Sequence, residues 1–167
     1  MADTYFNLSK DYFNIIFEYK EGNLYWKQRP ALCLKIGSLA GTVKIYDPYK
    51  RVQVCKKNLL QHRVIFFMHH GYLPEFVDHI DGNTFNNKIE NLRPATRSQN
   101  CINRKIMSSN KSGYKNVRWC KTAKKWEVKM RVNNKNTYFG WYDDLQEAAK
   151  AAEKLRNEHY KEFARHK

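Results

Sequence analysis

The sequence predicts an α+β chain built on several small antiparallel sheets. Three observations predict it. Apolar and polar residues alternate near the N-terminus and are broken by Gly, Asn and Pro. An Asp/Asn-rich loop lies between two short strand candidates in the middle. In the last third, period-2 strands precede an alanine-rich helix. The boundaries that follow are a β-rich segment at 1–57, a central strand–loop–strand–helix unit at 58–107, and a three-stranded antiparallel sheet packed on one helix at 108–167.

Phe17 and Tyr19 alternate with polar neighbours, Glu21-Gly22-Asn23 turns the chain, and Leu24 and Trp26 resume the pattern, which predicts a β-hairpin over 17–27. A second hairpin is expected over 37–56, with Val43 and Ile45 before an Asp47-Pro48 turn and Val52 and Val54 after it. Asn58 can cap a helix that runs to about His70 and is ended by Gly71 and Pro74, with Leu59, Leu60, Val64, Phe67 and Met68 in the core. A strand from Phe76 to Ile80 then delivers His79 to a loop whose Asp81-Gly82-Asn83 and Asn86-Asn87 are turn formers. Thr96-Arg97-Ser98-Gln99 has the form of a capping box, so a helix should start at Arg97 and carry Asn100 in its first turn. Residues 105–113 are polar and rich in turn formers, as a linker would be. Beyond them Trp126, Val128, Met130 and Val132 alternate with Glu127, Lys129, Arg131 and Asn133, giving a strand with one apolar and one largely basic face. Asn133-Asn134 turns into a strand around Tyr138 and Phe139, and Asp144 with Glu147 opens a helix to about Phe163.

With 42% hydrophobic and 14% aromatic residues, the 167-residue chain can bury a real core, which argues against extended disorder. Its formal charge of +15 points to a polyanionic partner, nucleic acid first among them. That charge is uneven: +5 over 1–60, +2 over 61–107 and +8 over 108–167. Cys33, Cys55, Cys101 and Cys120 show no C-x-x-C pair, so neither a zinc knuckle nor a disulfide framework is indicated, and reduced thiols in a cytoplasm are expected. No stretch has the length of a membrane span, and the N-terminus lacks the apolar run of a signal peptide.

Asp78-His79, the carboxamides that follow, and Asn100 form a mixture that a core would not require. It suits metal-assisted phosphodiester hydrolysis, which needs an oxygen ligand, a neutral base, a group to orient that base and a second ligand. His62-Arg63, Gly71, Pro74, Asp78-His79, Asp81-Gly82-Asn83, Asn87, Asn91-Leu92-Arg93, Thr96 and Asn100 together resemble the HNH endonucleases of phages, and most of all their homing-endonuclease branch with its ββα-metal core. The resemblance covers about residues 15–105. It implies that Asp78 is a metal ligand, His79 the general base, Asn91 the residue that orients His79, and Asn100 the second metal ligand. Asn100 stands where many HNH proteins have His, and hard oxygen donors favour Mg²⁺ or Mn²⁺ over Zn²⁺. Arg93 is expected either to brace the scissile phosphate or to form a salt bridge. Asn83, Asn86 and Asn87 are expected as turn residues, and His62, His69 and His70 as structural or solvent-facing positions on a helix.

From Gly113-Tyr114-Lys115-Asn116-Val117-Arg118-Trp119 through Lys125-Trp126-Glu127, Arg131 and Tyr138-Phe139-Gly140 to the alanine-rich helix, the chain is similar to the AP2 DNA-binding domain, over about residues 110–163. In that family a three-stranded sheet enters the major groove, where base edges present distinct patterns. The similarity implies DNA contacts at Arg118, Lys129, Arg131 and Tyr138. Trp119, Trp126 and Phe139 are expected in the core, and Lys121, Lys124, Lys125 and Lys135 at phosphates. Cys120 stands where many relatives carry Arg.

Together these resemblances imply a site-specific, metal-dependent endonuclease that acts on double-stranded DNA in the cytoplasm of a bacterial host cell. The alternative is a non-enzymatic DNA-binding regulator that keeps an inactive HNH fold. One site constellation and no heptad run or long apolar stripe predict a monomer that nicks one strand, with a homodimer through the N-terminal β-segment as the alternative.

Overall fold

A computed structural model describes residues 8–29, 34–133 and 135–166. It is a mixed α+β structure with small antiparallel sheets and divides into two compact units, Met1–Thr96 and Arg97–Lys167.

The first unit opens with helix α1 (Lys10–Ile16), capped by Ser9, whose Oγ accepts the Tyr12 N–H at 3.1 Å. Strands β1 (Phe17–Lys20) and β2 (Asn23–Trp26) form the expected hairpin about Glu21-Gly22, and β3 (Leu39–Ala40) pairs with β2 as a short third strand. The second hairpin lies elsewhere than expected. β4 (Arg51–Val54) pairs with β5 (Lys57–Leu60) around a two-residue turn at Cys55-Lys56, both at positive φ. Residues 43–50 form a loop that leaves Ile45 94% and Tyr46 97% exposed. Asn58 is therefore a strand residue and caps nothing. Helix α2 (Gln61–His70) starts after Leu60 with no side-chain cap, and ends at Gly71, whose φ of 75° closes the helix as a left-handed cap.

The N-terminal core joins α1, the first hairpin, β4, β5 and α2. Phe13, Phe17, Leu24, Val52, Val64, Ile65 and Phe66 are almost fully buried there, each contributing roughly 1.5–3 kcal/mol through burial. Against it lies a two-stranded sheet, β6 (Phe76–His79) and β7 (Leu92–Ala95), joined by a loop and a 3-10 turn at Ile89–Asn91.

The second unit holds α3 (Arg97–Ile102), the sheet β8 (Val117–Cys120), β9 (Lys125–Val132) and β10 (Lys135–Tyr142), and helix α4 (Leu145–Tyr160), followed by a 3-10 turn at Lys161–Phe163. Asp144 caps α4 by accepting the Gln146 and Glu147 N–H groups at 2.8 and 3.0 Å. Ala148 and Ala152 lie against Val117 and Val128, and the small alanines let the helix sit close on the sheet. Part of the stretch expected as a linker is an ordered turn: Asn110 Oδ1 accepts the Ser112 and Gly113 N–H groups, and Ser112 Oγ donates to the Val117 carbonyl at 2.8 Å. Lys115 Nζ donates to the Ile102 carbonyl, and Arg165 to that of Asn103, which ties α3 into this unit. Cys55, Cys101 and Cys120 are free thiols, whereas Cys33 and Asn134 lie outside the described residues. No helix among the described residues is long and apolar enough to cross a membrane.

Candidate active site

Strand β6 ends on Asp78 and His79, which are 5% and 4% exposed. Asp78 faces Arg93 across the β6–β7 register, and both Nε and Nη2 of Arg93 lie 2.9 Å from Asp78 Oδ2. Of the two roles expected for Arg93, the salt bridge is the contact present.

The loop after His79 is held by its own side chains. Asp81 accepts the Asn83 N–H at 2.7 Å and the Asn86 and Asn91 amides at 2.7 and 2.9 Å. Burial opposes ionisation of Asp81, but these three hydrogen bonds and the nearby His79 outweigh it and hold the carboxyl below its usual range. Asn91 Oδ1 accepts the Asp81 N–H at 3.0 Å, its Nδ2 also donates to the Asn86 carbonyl at 2.8 Å, and its own carbonyl accepts the Ile80 N–H at 2.9 Å. Asn83 and Asn86 are thus turn residues in the sense expected.

The side-chain amide that bonds His79 is that of Asn87, where Asn91 was expected. His79 Nε2 and Asn87 Oδ1 are 2.9 Å apart, while Asn91 is committed to the loop at Asp81 and Asn86. The physical reason is direction. Asn91 is the last residue of the 3-10 turn and its amide reaches across the loop to Asp81 and Asn86, whereas Asn87 turns inward and is 1% exposed. Asn87 Nδ2 donates to Gln61 Oε1 at 3.0 Å, and Gln61 Nε2 donates to the Ala40 carbonyl at 3.0 Å. Gln61, the first residue of α2, is fully buried, and neither it nor Asn87 stands out in the sequence as more than a helix-start or turn residue. A carboxamide closing the Asn86-Asn87 pair eight positions beyond a histidine was the available signal.

A histidine expected to be structural completes the surroundings. His62 lies 4.9 Å, centroid to centroid, from the His79 ring and 5.2 Å from Tyr49, which is itself 6.2 Å from His79. Burial first, then the electrostatic influence of the neighbouring His79, Arg63 and Arg51, pushes the His62 pKa down to about 3, so it is neutral at cellular pH. His69 Nδ1 bonds the Ile65 carbonyl at 2.9 Å, and the exposed His70 lies against Phe66 and Tyr72.

Asn100 is half-buried on α3, in the second unit, so its part in the site rests on motif spacing alone. Among the described residues no three His, Cys, Asp or Glu side chains cluster as a metal cage. Asp78 offers hard carboxylate oxygens, a donor chemistry that suits Mg²⁺ or Mn²⁺ better than Zn²⁺.

In the second unit, Tyr138 stands opposite Lys129, Asn136 opposite Arg131, and Arg118 opposite Glu127. Alternation along β9 places Lys129 and Arg131 on the same face as Glu127, away from the buried Val128 and Met130. The four expected contact positions therefore share one side of the sheet, with Arg118 closely paired to the buried Glu127. Trp126 and Phe139 pack against the core as expected. Trp119 does not: it is 47% exposed at the sheet edge and touches Trp126 edge to face at 5.0 Å.

The acid–histidine pair at the end of β6, the braced Asp/Asn loop and the returning strand β7 all fall within residues 60–101, which the family model of the HNH endonuclease matches. Over 97 residues the chain is 35% identical to Protein 3.8 of Escherichia phage T7, covering 57% of this chain and 79% of that protein. With that identity and coverage it belongs to the same family as Protein 3.8, and residues 60–101 are its HNH endonuclease domain. No solved structure matches the chain.

Proposed function

We propose that the protein is a metal-dependent, site-specific DNA endonuclease of the homing-endonuclease type, acting in the host cytoplasm, with 58–107 as the HNH core and 108–167 as an AP2-like reader. One observation carries the reading: His79, buried and fixed by a hydrogen bond, lies directly beside the Asp78–Arg93 pair in the HNH domain. His79 accepts a proton from the attacking water, whose oxygen bonds to phosphorus as the bond to the 3′ oxygen breaks. The products are a 5′-phosphate and a 3′-hydroxyl. Asp78 and Asn100 would hold Mg²⁺ or Mn²⁺, and such an ion when bound supplies charge stabilisation at the phosphate and the departing oxygen. Asn91 positions His79 indirectly, by fixing the backbone at Ile80 and Asp81. Arg93, ion-paired with Asp78, would brace the scissile phosphate.

The C-terminal unit supports a reader role through its charge and its face. Residues 97–167 carry 18 basic and 7 acidic side chains, and Arg118, Lys129, Arg131 and Tyr138 lie on the sheet side opposite α4. One constellation and one reader favour a monomer that nicks a single strand.

One observation favours a second reading, a DNA-binding regulator without activity: the Asp78 carboxylate is already ion-paired with Arg93. Incubating supercoiled DNA with Mg²⁺ or chelator, beside His79→Ala, separates the two. The endonuclease nicks, accumulates open circles before linear DNA, and loses activity with either change, by at least about 10² for His79→Ala, while DNA affinity stays. Binding without cleavage in Mg²⁺ or Mn²⁺ establishes the regulator, and immediate linear product establishes paired centres.

A further inference from the structure

The buried amides around His79 form a chain with a fixed polarity, and that polarity selects one face of the imidazole. The chain starts at the Ala40 carbonyl, which can only accept. Gln61 must therefore present Nε2 to it, which turns Oε1 toward Asn87. Asn87 must answer with Nδ2, which turns Oδ1 toward His79 Nε2 at 2.9 Å. An amide oxygen facing a ring nitrogen requires that nitrogen to carry hydrogen. Gln61 is 0% and Asn87 1% exposed, so water cannot readily substitute for either partner, and reversing any link leaves buried donors or acceptors facing their own kind.

We propose that Gln61 and Asn87 are positioning residues that hold neutral His79 as its Nε2–H tautomer, making Nδ1 the nitrogen that takes the proton from water. The inference rests on the endonuclease reading for its chemical consequence, but the tautomer itself is a property of the folded chain. Three separate segments contribute: Ala40 from β3, Gln61 from the start of α2, and Asn87 from the loop after β6. Gln61 acts through Asn87, and Asn87 through His79; neither touches the reacting atoms.

Nitrogen-15 spectroscopy of the full-length protein labelled in histidine tests this directly, because protonated and unprotonated ring nitrogens resonate far apart. The His79 signals are assigned by their loss in His79→Gln. At pH 8 the wild type is expected to show His79 with hydrogen on Nε2 and a bare Nδ1. Gln61→Leu removes the acceptor that orients Asn87, so the amide can reverse and both tautomers should be populated. Asn87→Leu should also mix them and lower kcat by about 10²-fold with KM unchanged. Asn87→Asp keeps an acceptor against Nε2, so it should keep the wild-type tautomer and recover part of the rate. A wild-type spectrum with hydrogen on Nδ1, or an unchanged tautomer in a folded Asn87→Leu variant, overturns the proposal. The wild-type spectrum decides even if the leucine variants fail to fold. An inactive protein with the expected tautomer would overturn the endonuclease reading and leave the hydrogen-bond assignment standing.

Discussion

The buried His62 should make the stability of the N-terminal unit depend on pH in a way that one substitution removes. Unfolded, the imidazole titrates near its ordinary value of 6.5; folded, burial and the electrostatic influence of His79, Arg63 and Arg51 push it down to about 3. The unfolded chain therefore binds one more proton between those values. Stability tied to a neutral His62 is fully present above about pH 6.5 and is lost as pH falls toward 3. From pH 8 to pH 5 this single group removes about 2 kcal/mol, since at pH 5 the unfolded imidazole is protonated and the folded one is not. For a unit of 96 residues that is a Tm change of roughly 8–16 °C. His62→Phe retains a ring against Tyr49 and His79 but has no proton to gain. Thermal unfolding of wild type and variant at pH 8, 6.5 and 5 should show the difference between them shifting by about that amount in favour of the variant as pH falls. Parallel pH profiles would mean that His62 is protonated in the folded protein and that the burial argument is wrong.

Three further outcomes are expected. Gly22→Ala should lower stability by at least about 2 kcal/mol and depress kcat, since φ is +83° and the new Cβ would sit 2.7 Å from Lys88 N and 2.9 Å from the Asn87 carbonyl carbon. An unchanged Tm would show that the hairpin does not press on this loop. Arg131→Ala should weaken a preferred DNA site more than random DNA, whereas Lys124→Ala should weaken both alike. With about five phosphates neutralised, log K should fall with log salt at a slope near −4 to −5, and equal losses for Arg131→Ala on both DNAs would remove it from base readout. Asp144→Ala should destabilise the C-terminal unit by about 1 kcal/mol, read as faster amide exchange at Ala148 and Ala149.

What the sequence made legible was local chemistry with a strong marker. Glu21-Gly22 announced the first hairpin, Gly71 the end of α2, Asp144 the start of α4, and alternation the basic face of β9. The second hairpin was hidden because Cys55-Lys56 adopts positive φ without the Gly or Asn that usually marks such a turn, so Asn58 looked like a cap. Helix α1 precedes the alternation and is only two turns long, too short for periodicity to stand out, although Ser9 caps it. The motif positions of Asp78 and His79 were legible from spacing. The bond to His79 was not, because choosing between Asn87 and Asn91 depends on how a loop folds back, and Gln61 joins them only through tertiary packing.

The packing of the first hairpin bears on how separable the nuclease motif is. The stretch that family comparison delimits, 60–101, begins after Ala40, Tyr19 and Gly22. Yet the Ala40 carbonyl anchors the amide chain, the Tyr19 hydroxyl accepts the Ile89 N–H at 3.0 Å, and the missing side chain of Gly22 makes room for the Asn87–Lys88 backbone. A motif cut out at its sequence borders and grafted onto another scaffold would carry every residue of its signature and lose three of its supports. In this protein the unit of inheritance that recurs as a sequence pattern is smaller than the unit of mechanics, which has to include the hairpin in front of it.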